Sequence, residues 1–198
     1  MVKSLDSIAK MIDHSLLHPA LTDQELVAGC GLALAYNVAS VSIKPYAVAL
    51  AVDILGGSGV EVGTVVGFPQ GNSHIGIKVA EARQGCAEGA TELDAVLNIG
   101  KVLSRDWDYI DREIKALSKV AREKKALLKL IFENGYLTDD TLKVKLCELC
   151  SRHSVDFVKT STGYCFMKQE DGTYAAKGAT DHDLELMRSS SLPSVQVK

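Results

Sequence analysis

Ala126-Leu-Leu-Lys-Leu-Ile-Phe-Glu133 is apolar almost throughout, with a single lysine near its middle. A strand with one face in water alternates apolar and polar residues, whereas a strand covered on both faces does not. The segment therefore predicts a buried strand of a parallel sheet. From Asp106 onward, apolar residues recur every three or four positions, which predicts an amphipathic helix before this strand. Thr138 is predicted to cap the helix that follows it.

The same alternation of short apolar runs and helical segments extends along the chain. Thr22 and Glu25 form a capping box that opens a predicted helix ending near Ala35. Pro45 suits the first turn of another helix, which the pair Gly56-Gly57 would end. The predicted strands cover residues 11–17, 39–43, 60–67, 92–98, 126–133, 156–160 and 194–198.

Strand–helix repetition predicts an α/β fold in a single domain spanning residues 1–198. Seven strand signals fit either an open doubly wound sheet or a (β/α)₈ barrel that lacks its last strand–helix unit, since complete barrels have about 250 residues. The polar, Gly-containing stretch 163–178 predicts an irregular excursion on the surface.

Composition excludes several classes of function. Apolar residues make up 46% of the 198 residues and the net charge is −3, so no basic nucleic-acid surface or polybasic membrane anchor is expected. Lys10 and Asp13 interrupt the N-terminal apolar residues, which argues against a secretory signal. Five scattered cysteines, an odd number, favour a reducing compartment, so we expect a cytoplasmic protein.

Single ionisable residues stand inside five of the predicted strands. Aspartate and lysine are almost never fully buried unless they are paired, and in parallel α/β folds the chemistry gathers at the carboxyl ends of the strands. Any one of these residues could face solvent at a strand end, but five on five strands predict a shared cavity. They are Asp13, Asp94, Lys129, Lys159 and Lys198.

An excess of lysine in such a cavity has a chemical consequence. A free lysine has a pKa of about 10.4, so very little neutral amine is present at pH 7. Burial and a neighbouring ammonium both disfavour the protonated form, which leaves an amine able to attack a carbonyl. Lys159 leads into Thr160-Ser-Thr-Gly163, whose hydroxyls suit an oxygen-rich substrate.

The string Phe157-Val-Lys-Thr-Ser-Thr-Gly163 closely resembles the Schiff-base segment of the deoxyribose-phosphate aldolases. Four further segments resemble this family in the same order, and the resemblance spans the whole chain. These segments are Met11-Ile-Asp-His-Ser-Leu-Leu17, Val65-Val-Gly-Phe-Pro-Gln-Gly71, Glu92-Leu-Asp-Ala-Val96 and Leu127-Leu-Lys-Leu-Ile-Phe-Glu133.

The resemblance implies a (β/α)₈ barrel that reversibly cleaves 2-deoxyribose 5-phosphate to glyceraldehyde 3-phosphate and acetaldehyde. It implies that Lys159 forms the imine, that Lys198 lowers the pKa of Lys159 and assists proton transfer, and that Asp94 shuttles protons through a water. It also implies a homodimer or homotetramer, with no metal and no organic cofactor. Supporting or substrate-binding roles would fall to Lys129, Asp13, Ser15, Thr160, Thr162 and Gly163, with Thr162 and Gly163 at the phosphate or the sugar hydroxyls.

This sequence departs from the family pattern in three respects, one of which is Ser42, where the family often has cysteine. Ser15 stands where the family commonly has threonine, which preserves the hydroxyl. In the family, the second lysine is followed by a Gly-Gly turn, an eighth strand and amides that grip the phosphate, whereas Lys198 is the last residue here. These residues alone would therefore form an unclosed barrel.

Two other functions stay open at the level of sequence. One is a Schiff-base or transaldolase-like barrel enzyme with a different donor. The other is an inactive barrel that serves as a binding or assembly subunit. Cys147 and Cys150 have the spacing of a redox or zinc pair, but no second pair accompanies them, so they are interpreted as small residues on a helix.

Overall fold

A computed structural model describes residues 5–168, 171–176 and 178–198. Its main sheet has seven parallel strands, one in each of the seven predicted runs, and a separate antiparallel pair lies between the sixth and the seventh. The main strands are β1 (Asp13–Leu16), β2 (Ser40–Ile43), β3 (Glu61–Val66), β4 (Glu92–Val96), β5 (Leu127–Ile131), β6 (Phe157–Lys159) and β9 (Gln196–Val197).

Strand order decides between the two predicted architectures. The sheet runs β1-β2-β3-β4-β5-β6-β9, so every strand lies beside its predecessor in the chain. A doubly wound sheet reverses its order at a switch point, whereas a barrel winds in one direction. The sheet also curls, since Lys198 Nζ after its last strand lies 2.6 Å from Asp13 Oδ1 on its first. The winding of an α/β barrel is thus confirmed, and the open doubly wound sheet is wrong.

Helices connect the strands and cover the outer face of the sheet. As predicted, the helix after Thr22 has a capping box, and the helical segment from Pro45 ends before Gly56. The bounds are α1 (Leu5–Ala9), α2 (Asp23–Tyr36), a 3₁₀ turn (Pro45–Ala47), α3 (Val48–Leu55), α4 (Ile75–Ala87), α5 (Ile99–Leu103), α6 (Trp107–Lys124), a second 3₁₀ turn (Asn134–Tyr136), α7 (Asp140–Arg152) and α8 (Asp181–Ser190).

Two local predictions are wrong. The cap of α7 is Asp139, whose side chain accepts from the amide of Thr141, so Thr138 lies one residue too early. The stretch 163–178 is not wholly irregular, because β7 (Phe166–Lys168) and β8 (Tyr174–Ala176) pair as an antiparallel hairpin. Residues 169, 170 and 177 of this stretch lie outside the described part of the chain. In both places polar residues offered two local solutions, and propensity alone does not choose between them.

The apolar core lies between the sheet and the helices. Outward-facing Leu128 and Leu130 of β5 belong to one buried cluster with Ile114 and Leu117 of α6. Successive strand residues point to opposite faces, so Lys129, which lies between these two leucines, points into the barrel. This alternation leaves the inner face of the sheet to the ionisable residues. No helix in the described ranges is long and apolar enough to cross a membrane.

Candidate active site

The inner face of the curled sheet carries the predicted ionisable residues. Asp94 on β4 is in register with Lys129 on β5, and Ile131 on β5 is in register with Lys159 on β6. In-register residues of neighbouring parallel strands share a face, which brings these side chains together. The structure thus gathers all five predicted ionisable residues in one cluster.

Lys159 and Asp94 form the most direct pair of this cluster. Lys159 Nζ lies 2.5 Å from Asp94 Oδ2. Asp94 is fully buried, whereas 18% of the Lys159 side chain is exposed, so Lys159 is the member of the pair that borders open space. The other oxygen, Asp94 Oδ1, has no hydrogen-bond partner among the described residues. Asp94 is therefore placed to exchange a proton with Lys159, and its Oδ1 faces Lys129 Nζ at 3.4 Å.

Lys129 lies at the centre of the cluster and is held by carboxylates on two strands. Its Nζ lies 2.6 Å from Asp13 Oδ2, 2.5 Å from Glu92 Oε2 and 3.4 Å from Asp94 Oδ1. Burial opposes its charge, but Asp94, Glu92 and Asp13 outweigh burial and raise the pKa of Lys129. Lys129 is therefore a permanent cation that organises the carboxylates.

Lys198 joins the cluster through Asp13. Its Nζ donates to Asp13 Oδ1 at 2.6 Å and to the carbonyl of Met11 at 3.3 Å. Burial by itself would raise the pKa of Asp13, but Lys129 and Lys198 lower it below 3.8. A continuous series of ion pairs thus runs from Lys198 through Asp13, Lys129 and Asp94 to Lys159.

The structure adds Glu92, which the sequence argument did not assign to the site. Glu92 precedes Asp94 by two positions, so both point to the same face of β4. This period of two was the signal that could have revealed it. With Glu92 the cluster holds three carboxylates against three ammonium groups. The expected excess of lysine is therefore wrong, because Glu92 balances the third cation.

The residues around Lys159 differ in their surroundings. Thr160 is buried, and its amide donates to the carbonyl of Lys198 at 2.8 Å. Thr162 is half-buried, and Gly163 is exposed with a φ of +84°, a conformation that favours glycine. Ser15 lies two positions after Asp13 on the same face of β1 and is exposed. The structure therefore places Thr160 against the backbone of Lys198, Thr162 against the side chain of Glu133, and Ser15 and Gly163 at exposed positions.

Glu133 is a second carboxylate that the sequence argument did not single out. It follows β5 in a left-handed conformation, with a φ of 57°, and is almost fully buried. Its carboxylate accepts hydrogen bonds from the backbone amide and the hydroxyl of Thr162. Burial raises the pKa of Glu133, and the Thr162 hydrogen bonds and the Lys159 charge oppose that rise. Sequence gave no sign that this strand end turns its carboxylate toward Thr162.

The loop Gly67-Phe-Pro-Gln-Gly71 lies at the rim of the site. The Phe68 and Tyr164 rings meet edge to face, with centroids 5.3 Å apart. Pro69 and Gln70 line a cavity of about 300 Å³ together with Tyr164 and Glu133. The loop thus contacts residues that follow Lys159, which favours a rim over an ordinary connecting turn.

A buried ion pair that was not predicted from the sequence holds the end of this loop through a hydrogen bond to Gly71. Lys78 on α4 pairs with Glu113 on α6, and both side chains are fully buried. Lys78 Nζ also donates to the carbonyls of Gly71 at 2.6 Å and Val96 at 2.7 Å. Charged residues on helices normally face water, so their burial could not be read from their spacing.

Cys147 and Cys150 lie buried in α7 as free thiols. Burial raises the pKa of Cys147 to about 11 and that of Cys150 as well. A thiol reacts and binds metals as the thiolate, which burial disfavours here. The interpretation of both as small helix residues is consistent with this placement.

Residues 7–191 match the family model described as DeoC/LacD family aldolase. The chain belongs to this family. A deoxyribose-phosphate aldolase of Rhodopirellula baltica is 48% identical over 191 residues, which cover 96% of this chain and 75% of that relative. The fold is also similar to that of a putative deoxyribose-phosphate aldolase from Coccidioides immitis, with a TM-score of 0.87 and 30% identity over 98% of this chain and 73% of that one. A tetrameric deoxyribose phosphate aldolase from Aeropyrum pernix matches with a TM-score of 0.76 and 26% identity over 98% of this chain and 88% of that one.

Proposed function

We propose that this chain is a class I aldolase that reversibly cleaves 2-deoxy-D-ribose 5-phosphate to D-glyceraldehyde 3-phosphate and acetaldehyde through a Schiff base on Lys159. The observation that carries the proposal is the contact between a partly accessible Lys159 and the buried Asp94. An amine next to a proton acceptor, reachable by a small molecule, is what imine formation requires. Family membership and the names of the relatives support the same substrate.

The reaction begins when Lys159 gives a proton to Asp94 and its neutral amine attacks C1 of the open-chain sugar. Loss of water from the carbinolamine leaves an iminium ion. Removal of the proton from the C3 hydroxyl then breaks the C2–C3 bond, and its electron pair moves to the iminium nitrogen. Glyceraldehyde 3-phosphate leaves, and the remaining enamine is protonated at C2 and hydrolysed to acetaldehyde. The iminium group formed on Lys159 is the electron sink, so the route uses no metal and no organic cofactor.

Asp94 is the residue we assign to these proton transfers, acting through a water. The accessible lysines lie at the two ends of the ion-pair series, so Lys198 is assigned to assist proton transfer, with Lys129 as a fixed cation between Asp13 and Asp94. This differs from a direct contact between two lysines, because Lys198 Nζ is paired with Asp13. Lys129 and Asp13 balance charge and keep Asp94 oriented.

The remaining parts of the proposal concern the molecule as a whole. We propose one domain over residues 1–198, because one curled sheet includes strands from both ends of the chain. The five cysteines form no disulfide, which supports a cytoplasmic location, where thiols stay reduced. The tetrameric structure from Aeropyrum pernix supports a homo-oligomer, which light scattering on the purified protein would test.

The proposal is tested by trapping the imine. Incubation with acetaldehyde and borohydride should add one reduced two-carbon adduct, located on Lys159 by peptide mass spectrometry. Lys159→Ala should abolish the adduct, whereas Lys119→Ala, which removes an exposed lysine on α6, should leave it unchanged. An adduct that persists in folded Lys159→Ala would contradict the assignment.

Product analysis separates this proposal from the other two functions. Condensation of acetaldehyde with glyceraldehyde 3-phosphate to 2-deoxyribose 5-phosphate supports the proposed donor. Trapping by a different carbonyl donor, with none by acetaldehyde, would favour another Schiff-base aldolase. A folded protein that traps no donor would favour a binding or assembly subunit.

A further inference from the structure

Lys78 and Glu113 form a buried ion pair that the proposed reaction does not use. Lys78 lies on α4 and Glu113 on α6, and both side chains are fully buried. Taking two charges out of water is costly, and an apolar pair of similar volume is often equally stable or more stable. Two helices that only pack against each other would therefore not need this pair.

The ion pair binds the backbone at the carboxyl end of β4. Lys78 Nζ donates to the carbonyl of Val96, the last residue of β4, at 2.7 Å. Glu113 Oε2 accepts from the amide of Asn98 at 3.0 Å. Hydrogen bonds with one charged partner are shorter and stronger than those between neutral groups. The pair thus holds a carbonyl and an amide that lie two residues apart.

The same lysine supports the loop that follows β3. Lys78 Nζ donates to the carbonyl of Gly71 at 2.6 Å. A Cβ on Gly67 would lie 2.7 Å from Lys78 Cε, and a Cβ on Gly71 would lie 2.0 Å from the carbonyl oxygen of Leu97. These two glycines let the loop lie directly on Lys78 and on the residue after β4. The connections after β3 and β4 are therefore packed together around this lysine.

Asp94 depends on the backbone of β4 for its position. Asp94 and Val96 are two positions apart on this strand, so their side chains share a face. Asp94 Oδ2 accepts from Lys159, whereas Oδ1 has no hydrogen-bond partner among the described residues and lies 3.4 Å from Lys129 Nζ. A carboxylate with so few hydrogen bonds is oriented mainly by the strand that carries it. A shift at the end of β4 would therefore move this carboxylate relative to the Lys159 amine.

We infer that Lys78 and Glu113 are positioning residues for Asp94, because they hold the carboxyl end of β4 and so keep the Asp94 carboxylate against Lys159. The inference rests on the proposed function. The pair acts through Val96 and Asn98 and takes no part in proton transfer itself. A misplacement of about 1 Å caused by a residue far from the reacting atoms can slow a reaction about 100-fold.

The test separates this role from stability, because both charges can be removed together. Lys78→Met combined with Glu113→Leu leaves no unpaired charge, so this apolar double variant should fold and regain much of the stability that the single variants lose. Its activity should not return. At a temperature well below its unfolding midpoint, kcat for cleavage of 2-deoxyribose 5-phosphate should be lower by about tenfold or more, with KM changed by less than about threefold. Borohydride trapping of acetaldehyde should slow by a similar factor, because imine formation uses the same proton transfer.

A second ion pair across the same two helices provides the matched control. Arg83 on α4 pairs with Glu123 on α6, and about half of each side chain is exposed. Arg83→Met combined with Glu123→Leu should leave kcat unchanged, because this pair lies at the surface.

A further variant restores one of the two backbone contacts. Lys78→Met combined with Glu113→Gln also lacks both charges, but it keeps an acceptor for the amide of Asn98. Its kcat should therefore lie between those of the apolar double variant and wild type. If the apolar double variant does not fold, this variant decides the question, with a kcat that should be about threefold or more below that of the surface control.

Three results would overturn the inference. The first is a wild-type kcat in a folded variant that lacks the buried pair, which would limit the pair to stability. The second is a raised KM with normal kcat and normal trapping, which would mean that the pair supports the loop after β3 and not Asp94. The third is failure of both buried-pair variants to fold, since the pair would then be needed for folding itself. Trapping in wild type is measured first, because its absence would refute the proposed function, whereas normal wild-type trapping with an unchanged variant kcat refutes only this inference.

Discussion

The buried pair of Lys78 and Glu113 predicts a large and specific loss of stability when either residue is replaced. We consider Lys78→Met, which keeps the length of the side chain and removes its charge. The change leaves the Glu113 carboxylate buried, with only the amide of Asn98 at 3.0 Å as a partner among the contacts described. It also leaves the carbonyls of Gly71 and Val96 without the Lys78 donor.

The magnitude follows from the environment of the pair. Burial raises the pKa of Glu113 and lowers that of Lys78, and each charge opposes that shift in the other. Removing one member of such a pair typically costs about 3–5 kcal/mol, because an uncompensated charge remains in the interior. Domains of this kind have total stabilities of about 5–15 kcal/mol. Lys78→Met should therefore remove about a fifth or more of the free energy of unfolding.

Urea denaturation of a double-mutant cycle measures this effect. Glu113→Leu alone should cost a similar amount, but Lys78→Met combined with Glu113→Leu should cost at least about 2 kcal/mol less than the sum of the singles. Arg83 and Glu123 pair across the same two helices with about half of each side chain exposed, so Arg83→Ala is a matched control that should cost under about 1 kcal/mol. Additive single costs, or a loss for Lys78→Met no larger than that of the control, would refute the reasoning.

Three further predictions concern other parts of the fold. The pKa of Asp13 is lowered below 3.8 in the folded state, so the ionised Asp13 stabilises the fold above that pH and this contribution is lost below it. In an acid titration, the free energy of unfolding of Asp13→Asn should therefore fall less steeply below about pH 4 than that of the wild type, and an unchanged slope would contradict this. Lys129→Met should destabilise by about 3 kcal/mol or more at pH 7 in thermal or urea unfolding, and by less at pH 5, where the carboxylates it leaves can take up protons. In α2, Gly31→Ala should raise the free energy of unfolding by about 0.5–1 kcal/mol, because the new Cβ would meet open space. Gly29→Ala should not raise it, because the new Cβ would overlap the side chain of Leu16. Equal effects of the two variants on the free energy of unfolding would show that packing does not decide the outcome.

Much of the fold could be predicted because it depends on local patterns. All seven parallel strands were predicted, since strands covered on both faces have continuous apolar sequence. Strand order could not be predicted, because an open sheet and a barrel place the same demands on each strand. The position of Lys198 beside Asp13 depends on the curl of the whole sheet, which no local pattern encodes.

The residues of the candidate site could likewise be predicted only where a local sequence pattern marks them. A lysine or aspartate inside an apolar strand is conspicuous, so Asp94, Lys129 and Lys159 could be found one by one. Glu92 was missed because it stands at a strand end, where a charge normally faces water. Glu133 acts through a left-handed turn that places its carboxylate against Thr162, and sequence shows the residue but not the turn.

The family resemblance predicts that Lys159 is the nucleophile, and the pairing of the carboxylates favours the same lysine. Lys129 faces three carboxylates and is almost wholly enclosed, so it has no route to a neutral, accessible amine. Lys198 is accessible, but both oxygens of its partner Asp13 are held by ammonium groups, and such a carboxylate is a weak base. Asp94 accepts one hydrogen bond from an ammonium, that of Lys159, and its other oxygen lies 3.4 Å from Lys129 Nζ, whereas Asp13 accepts two. The smaller number of hydrogen bonds on Asp94 supports the proposal that Lys159 is the attacking amine.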